Sequence, residues 1–243
     1  MEGVRAAIVI PARYASSRFP GKALATLAGK PLLQHTWQQA SQASVEAVLI
    51  ATDHEEIYRC ARAFGAQVVM TSPEHPSGTD RVAEALKHLP WCQAVLNLQA
   101  DEPFIRPQMI EQALELLEEA PMATLASPIR QWQELQDPHV VKVVLDAQGW
   151  ALYFSRAPIP YHRQRGARPK ALKHIGLYAY RREALEAFVQ HPPTELEALE
   201  ALEQLRALQM GLRIKVGITH YETLGVDTPE DLRRAEQWLS TSS

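Results

Sequence analysis

Apolar residues in this chain fall first into short continuous runs, and those runs alternate with stretches of helical periodicity. The runs at 6–11, 47–52, 67–71 and 94–98 are apolar and partly β-branched, which predicts strands buried on both faces. Between them, Pro31 stands at a first-turn position ahead of Leu32, Leu33, Trp37 and Ala40, which share one helical face. Asp53 with Glu56 forms a capping-box pattern for a second helix that Gly65 closes. Further helices are expected at about 79–89 and 107–119. Strand–helix alternation of this kind predicts an α/β fold with a doubly wound, mostly parallel sheet.

The second half breaks that rhythm. Segments 141–145 and 151–156 flank Asp146-Ala147-Gln148-Gly149 and predict a hairpin, and 175–180 predicts another strand. A long helix is expected from about Glu195 to Met210, stopped by Gly211, and a strand at 214–218 follows. Thr228-Pro229-Glu230-Asp231 then supplies an N-cap, a first-turn proline and first-turn acids for a final helix. No Pro-, Gly- or Ser-rich linker interrupts the chain. The expectation is a single domain over 1–243, with an embedded mixed-sheet region at about 125–185.

Composition narrows the function classes. The chain has 243 residues, 46% of them hydrophobic, enough for a substantial core. Its 25 basic and 28 acidic residues give a net charge of -3, which argues against nucleic acid as a partner. No apolar run approaches the roughly 20 residues of a membrane helix, and the run at 6–10 is too short for a signal-peptide core. Cys60 and Cys92 form neither a disulfide framework nor a CxxC metal site, so a cytoplasmic protein is expected. Charge is uneven locally: between Glu2 and Glu46 there is no acidic residue, while Arg5, Arg13, Arg18, Lys22 and Lys30 are basic. Such a stretch suits either an anion site or a solvated basic face.

The segment Pro11-Ala12-Arg13-Tyr14-Ala15-Ser16-Ser17-Arg18-Phe19-Pro20-Gly21-Lys22 follows the first predicted strand, where open α/β sheets bind ligands. It offers a phosphate chain two guanidinium forks, a mobile ammonium and a glycine for close backbone approach. It is neither a Walker P-loop, since Ser16 and Ala23 stand where that motif needs Gly and Ser or Thr, nor a GxGxxG turn.

The pattern Arg13-x-x-Ser16-x-Arg18-x-Pro20-Gly21-Lys22 resembles the N-terminal signature of the acidic-sugar cytidylyltransferases. Further matches follow in family order: Ala51-Thr52-Asp53, Ser77-Gly78-Thr79-Asp80-Arg81, Asn97 to Pro103, Ala151 to Arg156, His174 to Tyr178, Leu202 to Arg206 and Gly225 to Asp231. Together they resemble the enzymes that couple CTP to 3-deoxy-manno-octulosonate (Kdo) for lipopolysaccharide biosynthesis, giving CMP-Kdo and pyrophosphate. The resemblance implies the nucleotide-diphospho-sugar transferase fold, a homodimer, and Mg²⁺ held by Asp101 and Asp227. It implies Lys22 with these two aspartates as the catalytic set. CTP would be bound by Ala12, Arg13, Ser16, Arg18, Lys22, Thr71, Ser72, Ser77 and Thr79. Kdo would be bound by Arg81, Gln99, Arg156, His174, Tyr178, Glu203 and Gln204. On sequence alone Asp227 suits a helix cap, Glu203 one more acid on an acidic helix, and His174 a structural histidine.

The chain departs from the family where Ala100 replaces the usual Gly before the metal aspartate, and the basic segment 161–173 is shorter than in many members. If that glycine needed a positive φ, Ala100 would be strained. A cytidylyltransferase for 8-amino-Kdo or another acidic sugar, and a catalytically silent nucleotide-binding protein, are the alternatives.

Overall fold

The structure is a computed structural model that describes residues 4–15, 19–164, 166 and 168–241. In chain order its elements are β1 (Ala6–Ala12), β2 (Thr26–Leu27), β3 (Lys30–Pro31), α1 (Leu32–Ala40), β4 (Ala47–Thr52), α2 (Glu55–Ala63), β5 (Gln67–Met70), α3 (Gly78–Ala85), β6 (Ala94–Leu98), α4 (Pro107–Glu115), β7 (Met122–Pro128), α5 (Trp132–Gln136), β8 (Lys142–Leu145), β9 (Ala151–Ser155), β10 (Leu172–Arg181), α6 (Arg182–Gln190), α7 (Glu195–Glu200), α8 (Gln204–Gln209), β11 (Ile214–Ile218) and α9 (Pro229–Thr241). They form two units. One is the chain up to Glu111 together with the chain from Glu222 on; the other is Gln112–Tyr221.

The first unit contains the parallel strands β6-β1-β4-β5 in that order. Every position of β1 is buried, as expected for a strand covered on both faces, and α3 packs on β1 and β4. Because the strands run the same way, the segments after Ala12, Thr52 and Leu98 open at one edge of the sheet, where α/β folds bind ligands. α9 returns to this unit and buries Val226 and Ala235 with Leu27 and Leu32.

Two helix starts differ from expectation. Pro31 is the N-cap of α1 rather than its first helical residue. α2 starts from His54 with no side-chain cap, because the Asp53 carboxylate is taken by Arg81.

The second unit is mixed. β11 runs parallel to β7, whereas β10 is antiparallel to both β7 and β8, and β8 and β9 form the expected hairpin. The region expected at 125–185 lies within this unit. β7 is a strand without a periodic signature, since Met122-Ala-Thr-Leu-Ala-Ser is buried at six successive positions. The helix expected over Glu195–Met210 is two helices. Ala201 takes a left-handed φ of 50° between α7 and α8, and Leu202 turns into the core. The bonds of Glu200 to the end of β9 hold α7 there, and local helix propensity yields to them.

Candidate active site

At the sheet edge of the first unit, the loop after β1 closes on itself. Gly21 N–H donates to the Tyr14 carbonyl at 2.9 Å, with Gly21 at φ 69°, and the Tyr14 ring stacks on His54 with centroids 4.0 Å apart. Lys22 follows directly and opens a short 3₁₀ turn. Its ammonium reaches two carboxylates from distant parts of the chain: it donates to Asp101 Oδ2, and to Asp227 Oδ1 at 2.9 Å.

Asp101 sits just beyond β6, and its carbonyl accepts from Val226 N–H at 2.9 Å, which brings the neighbouring Asp227 alongside. Asp227 is not the helix cap. The Thr228 hydroxyl accepts from Asp231 N–H at 3.2 Å, while Asp231 Oδ2 accepts from Thr228 N–H at 3.0 Å and Asp227 N–H at 3.2 Å. Asp231 thus satisfies the start of α9, and the Asp227 carboxylate points at the lysine instead. Burial pulls the Lys22 pKa down, but Asp101 and Asp227 outweigh it and hold the ammonium above its usual value.

A third carboxyl lies beside this pair. Burial, reinforced by the charges of Asp101 and Asp227, pushes Glu102 up to about 8, so it is neutral at pH 7. Its Oε2 is buried without a hydrogen-bond partner, and a Cβ on Gly225 would stand 3.2 Å from its Oε1. Ala100 has no positive φ, so the extra methyl is unstrained; its carbonyl accepts from Thr36 Oγ1 at 3.0 Å.

The segments expected to bind CTP at 71–72 and 77–79 belong to the same unit. Ser77 caps α3 by accepting from Thr79 and Asp80 N–H at 3.1 and 3.3 Å. A Cβ on Gly78 would come within 3.3 Å of Pro11 and 3.5 Å of Gln99, so glycine lets the α3 start approach the ends of β1 and β6. Gln99 Nε2 donates to Asn97 Oδ1 at 2.9 Å. Arg81, expected at the sugar, is buried, and three hydrogen bonds engage its guanidinium. It donates to Asp53 at 2.7 Å, to Thr71 Oγ1, and to the Ser72 carbonyl at 3.3 Å. Ser72 N–H also donates to Glu84 at 2.9 Å, a bond that with His75 holds the Glu84 pKa low. Arg81 therefore fixes Thr71 and Ser72, and the sequence pattern did not reveal Asp53 or Glu84 as its co-workers. Arg13 is exposed, Ala12 is buried, and Ser16 and Arg18 lie outside the described residues.

The remaining residues expected at the sugar lie in the second unit. β10 carries a bulge between Ile175 and Tyr178 that resets its register against β7. His174 and Tyr178, which flank the bulge, lie with ring centroids 5.2 Å apart. Thr124 Oγ1 donates to the carbonyls inside the bulge, at 2.7 Å for Leu177. With that proton committed, His174 Nε2 is the donor in its 3.0 Å contact to Thr124 Oγ1, and Nδ1 is left as an acceptor. Burial pushes His174 down to about 3, so the ring is neutral.

Tyr178 Oη and Gln204 Nε2 are buried polar atoms without hydrogen-bond partners, the kind of group a hydroxylated ligand satisfies. Burial, with Tyr180 and Glu203, raises the Tyr178 phenol well above its usual pKa. Glu203 lies 3.6 Å from Arg206. The Arg156 guanidinium is held by the carbonyls of Glu200, Pro138 and Ala201 at 2.7, 3.0 and 3.3 Å, which leaves two of its five N–H groups for a ligand. Glu200, one acid among several on the sequence, accepts from Ser155 Oγ at 2.6 Å and Arg156 N–H at 2.9 Å.

Comparison with known proteins decides what this arrangement belongs to. The cytidylyltransferase profile matches residues 7–214. The 3-deoxy-manno-octulosonate cytidylyltransferase of Anaeromyxobacter dehalogenans (strain 2CP-C) is 50% identical over 240 residues, covering 98% of this chain and 98% of that protein. The chain belongs to the 3-deoxy-manno-octulosonate cytidylyltransferase family. A second relative with that name, from Geobacter sulfurreducens, is 48% identical and covers 95% of this chain and 98% of its own length. A solved CMP:2-keto-3-deoxy-manno-octonic acid synthetase complexed with CTP superposes with a TM-score of 0.92 at 41% identity, covering 98% of this chain and all of that one. The 4-diphosphocytidyl-2C-methyl-D-erythritol synthase of Anaerococcus prevotii, at 15% identity and a TM-score of 0.67, shares the fold. The family resemblance drawn from the motifs and the doubly wound α/β class are thereby shown.

Proposed function

We propose that this protein transfers CMP from CTP to the anomeric hydroxyl of Kdo, releasing pyrophosphate. The observation that carries the reading is the convergence of Lys22, Asp101 and Asp227 at the sheet edge, in a chain of this family. The reaction is an in-line attack of a sugar oxygen on the α-phosphorus, and its difficulty is the approach of two anions. Positioning and charge neutralisation therefore carry catalysis. Lys22 and Arg13 draw in the triphosphate and offset the charge of the departing pyrophosphate. The Thr71–Ser72 segment, fixed by Arg81, and the Ser77–Thr79 turn present backbone groups to the cytosine edge. In the second unit, Arg156, His174, Tyr178, Glu203 and Gln204 take the sugar, with His174 Nδ1 accepting from a hydroxyl and Tyr178 Oη donating.

Mg²⁺ fits the carboxylate pair. Asp101 and Asp227 already converge on one cation, the Lys22 ammonium, and both supply hard oxygen donors. Among the described residues no third His, Cys, Asp or Glu joins them, which leaves positions for phosphate oxygens and water. When bound, the metal supplies charge neutralisation at the phosphates. We also place the protein in the cytoplasm, where CTP is found; no helix among the described residues is long and apolar enough to cross a membrane. The edge strand β9, with Leu152 60% exposed, supports a homodimer.

The test is pyrophosphate release from CTP and Mg²⁺ with Kdo, with 8-amino-Kdo, and without sugar, beside UTP as the competing nucleotide. Release that needs Kdo and CTP is expected. Release with the amino sugar alone would replace the substrate, and silence with both would overturn the activity.

A further inference from the structure

We propose that Lys22 is the built-in counter-ion of the Asp101–Asp227 pair and competes with the divalent cation for it, so that nucleotide binding opens the metal site. This inference rests on the metal reading above. The Lys22 ammonium donates to one oxygen of each aspartate, and so stands where the two donors converge. An ammonium and a divalent ion cannot share that point: each is a cation, and each needs the same two oxygens.

The neighbouring Glu102 does not relieve the conflict, because Lys22 has no bond to its carboxyl and its Oε2 is unpartnered. The lysine is free to exchange partners. It has a flexible four-carbon stem, and it is anchored next to Gly21 in the loop that also carries Arg13. A triphosphate arriving at that loop offers the ammonium a second anionic partner and draws it away from the point between the two aspartates. Occupation of one site then favours occupation of the other, and by linkage the effect is reciprocal. In the nucleotide-free protein the lysine stands between the two carboxylate oxygens and disfavours metal there.

The experiment uses Mn²⁺ alone as probe, titrated into nucleotide-free protein, with free Mn²⁺ followed by electron paramagnetic resonance. Lys22→Met is expected to tighten Mn²⁺ binding by about tenfold or more, since a competing state has been removed. Lys22→Arg, which keeps the charge, is expected to stay within a few-fold of the parent protein. Adding Asp227→Asn to Lys22→Met is expected to abolish the gain. Binding in Lys22→Met no tighter than in the parent overturns the inference. So does an Arg variant as tight as the Met variant, because charge would then not be the cause, and so does a gain that survives Asp227→Asn. Failure of the parent protein to bind Mn²⁺ even with CTP present would overturn the metal assignment as well. Normal binding with CTP but no gain in Lys22→Met would overturn this inference alone.

Discussion

Lys22 in the first unit and Lys142 in the second are both withdrawn from solvent, yet their surroundings use the same ammonium differently. Lys22 meets two side-chain carboxylates that raise its pKa against burial. Lys142 is fully buried and donates to three main-chain carbonyls, of Asp137 at 2.9 Å, Val140 at 2.5 Å and Arg156 at 2.6 Å. Burial is the largest influence on it, and its pKa is lowered. Carboxylates can trade one cation for another, whereas main-chain carbonyls stay where the fold puts them. A lysine among ionised side chains belongs to chemistry; a lysine among carbonyls belongs to architecture.

The sharpest way to break this contrast is to remove both cations. Lys22→Met should cost roughly 10³-fold in kcat/KM, with little change in Tm, as measured by pyrophosphate release and calorimetry. Lys142→Met should do the reverse. Stranding three carbonyls in the core should cost about 3 kcal/mol, a Tm loss of roughly 6–12 °C, while KM for CTP holds. If both variants fail by the same readout, the contrast is wrong.

Smaller effects sharpen the same comparison through pH. In the second unit, His174 has a folded pKa of about 3 against 6.5 unfolded, so the unfolded chain binds the extra proton between those values. Stability from this group is present above pH 6.5 and is lost as pH falls toward 3. In the first unit, Glu102 has a folded pKa of about 8 against 4.5, so the native state holds the extra proton and stability falls as pH rises from 4.5 to 8. Denaturant midpoints against pH should show His174→Gln flattening the acid limb and Glu102→Gln flattening the alkaline one. The smallest expected effect is Ala100→Gly. Ala100 has an ordinary φ, so the change should cost about 0.5–1 kcal/mol through backbone entropy alone and leave kcat within a few-fold.

The strands of the first unit were legible because a parallel strand covered on both faces is a continuous apolar run, as in β1. β7 was not, since its small residues carry no period, and the break at Ala201 was not, since Glu200 makes it through bonds to Ser155 and Arg156 far away in sequence. The same limit governs the site. Lys22 lies 79 residues from Asp101 and 205 from Asp227, distances over which spacing carries no signal, so family resemblance alone grouped the three. Thr228 and Asp231 were legible as the start of the last helix and do bond each other there, but that this frees the Asp227 carboxylate for Lys22 shows only in the fold. The partners of Arg81, Asp53 and Thr71, come from two other loops, so its role in fixing them carried no local signal.

The division of the first unit into two stretches of chain has a consequence for synthesis on the ribosome. β6 and Asp101 are made before any of Gln112–Tyr221, but Asp227 and the helix that covers Leu27 and Leu32 are made after all of it. The nascent chain therefore carries half of its carboxylate pair throughout translation of the second unit. A product interrupted before Asp227 would hold Lys22 against a single aspartate, with part of its core uncovered.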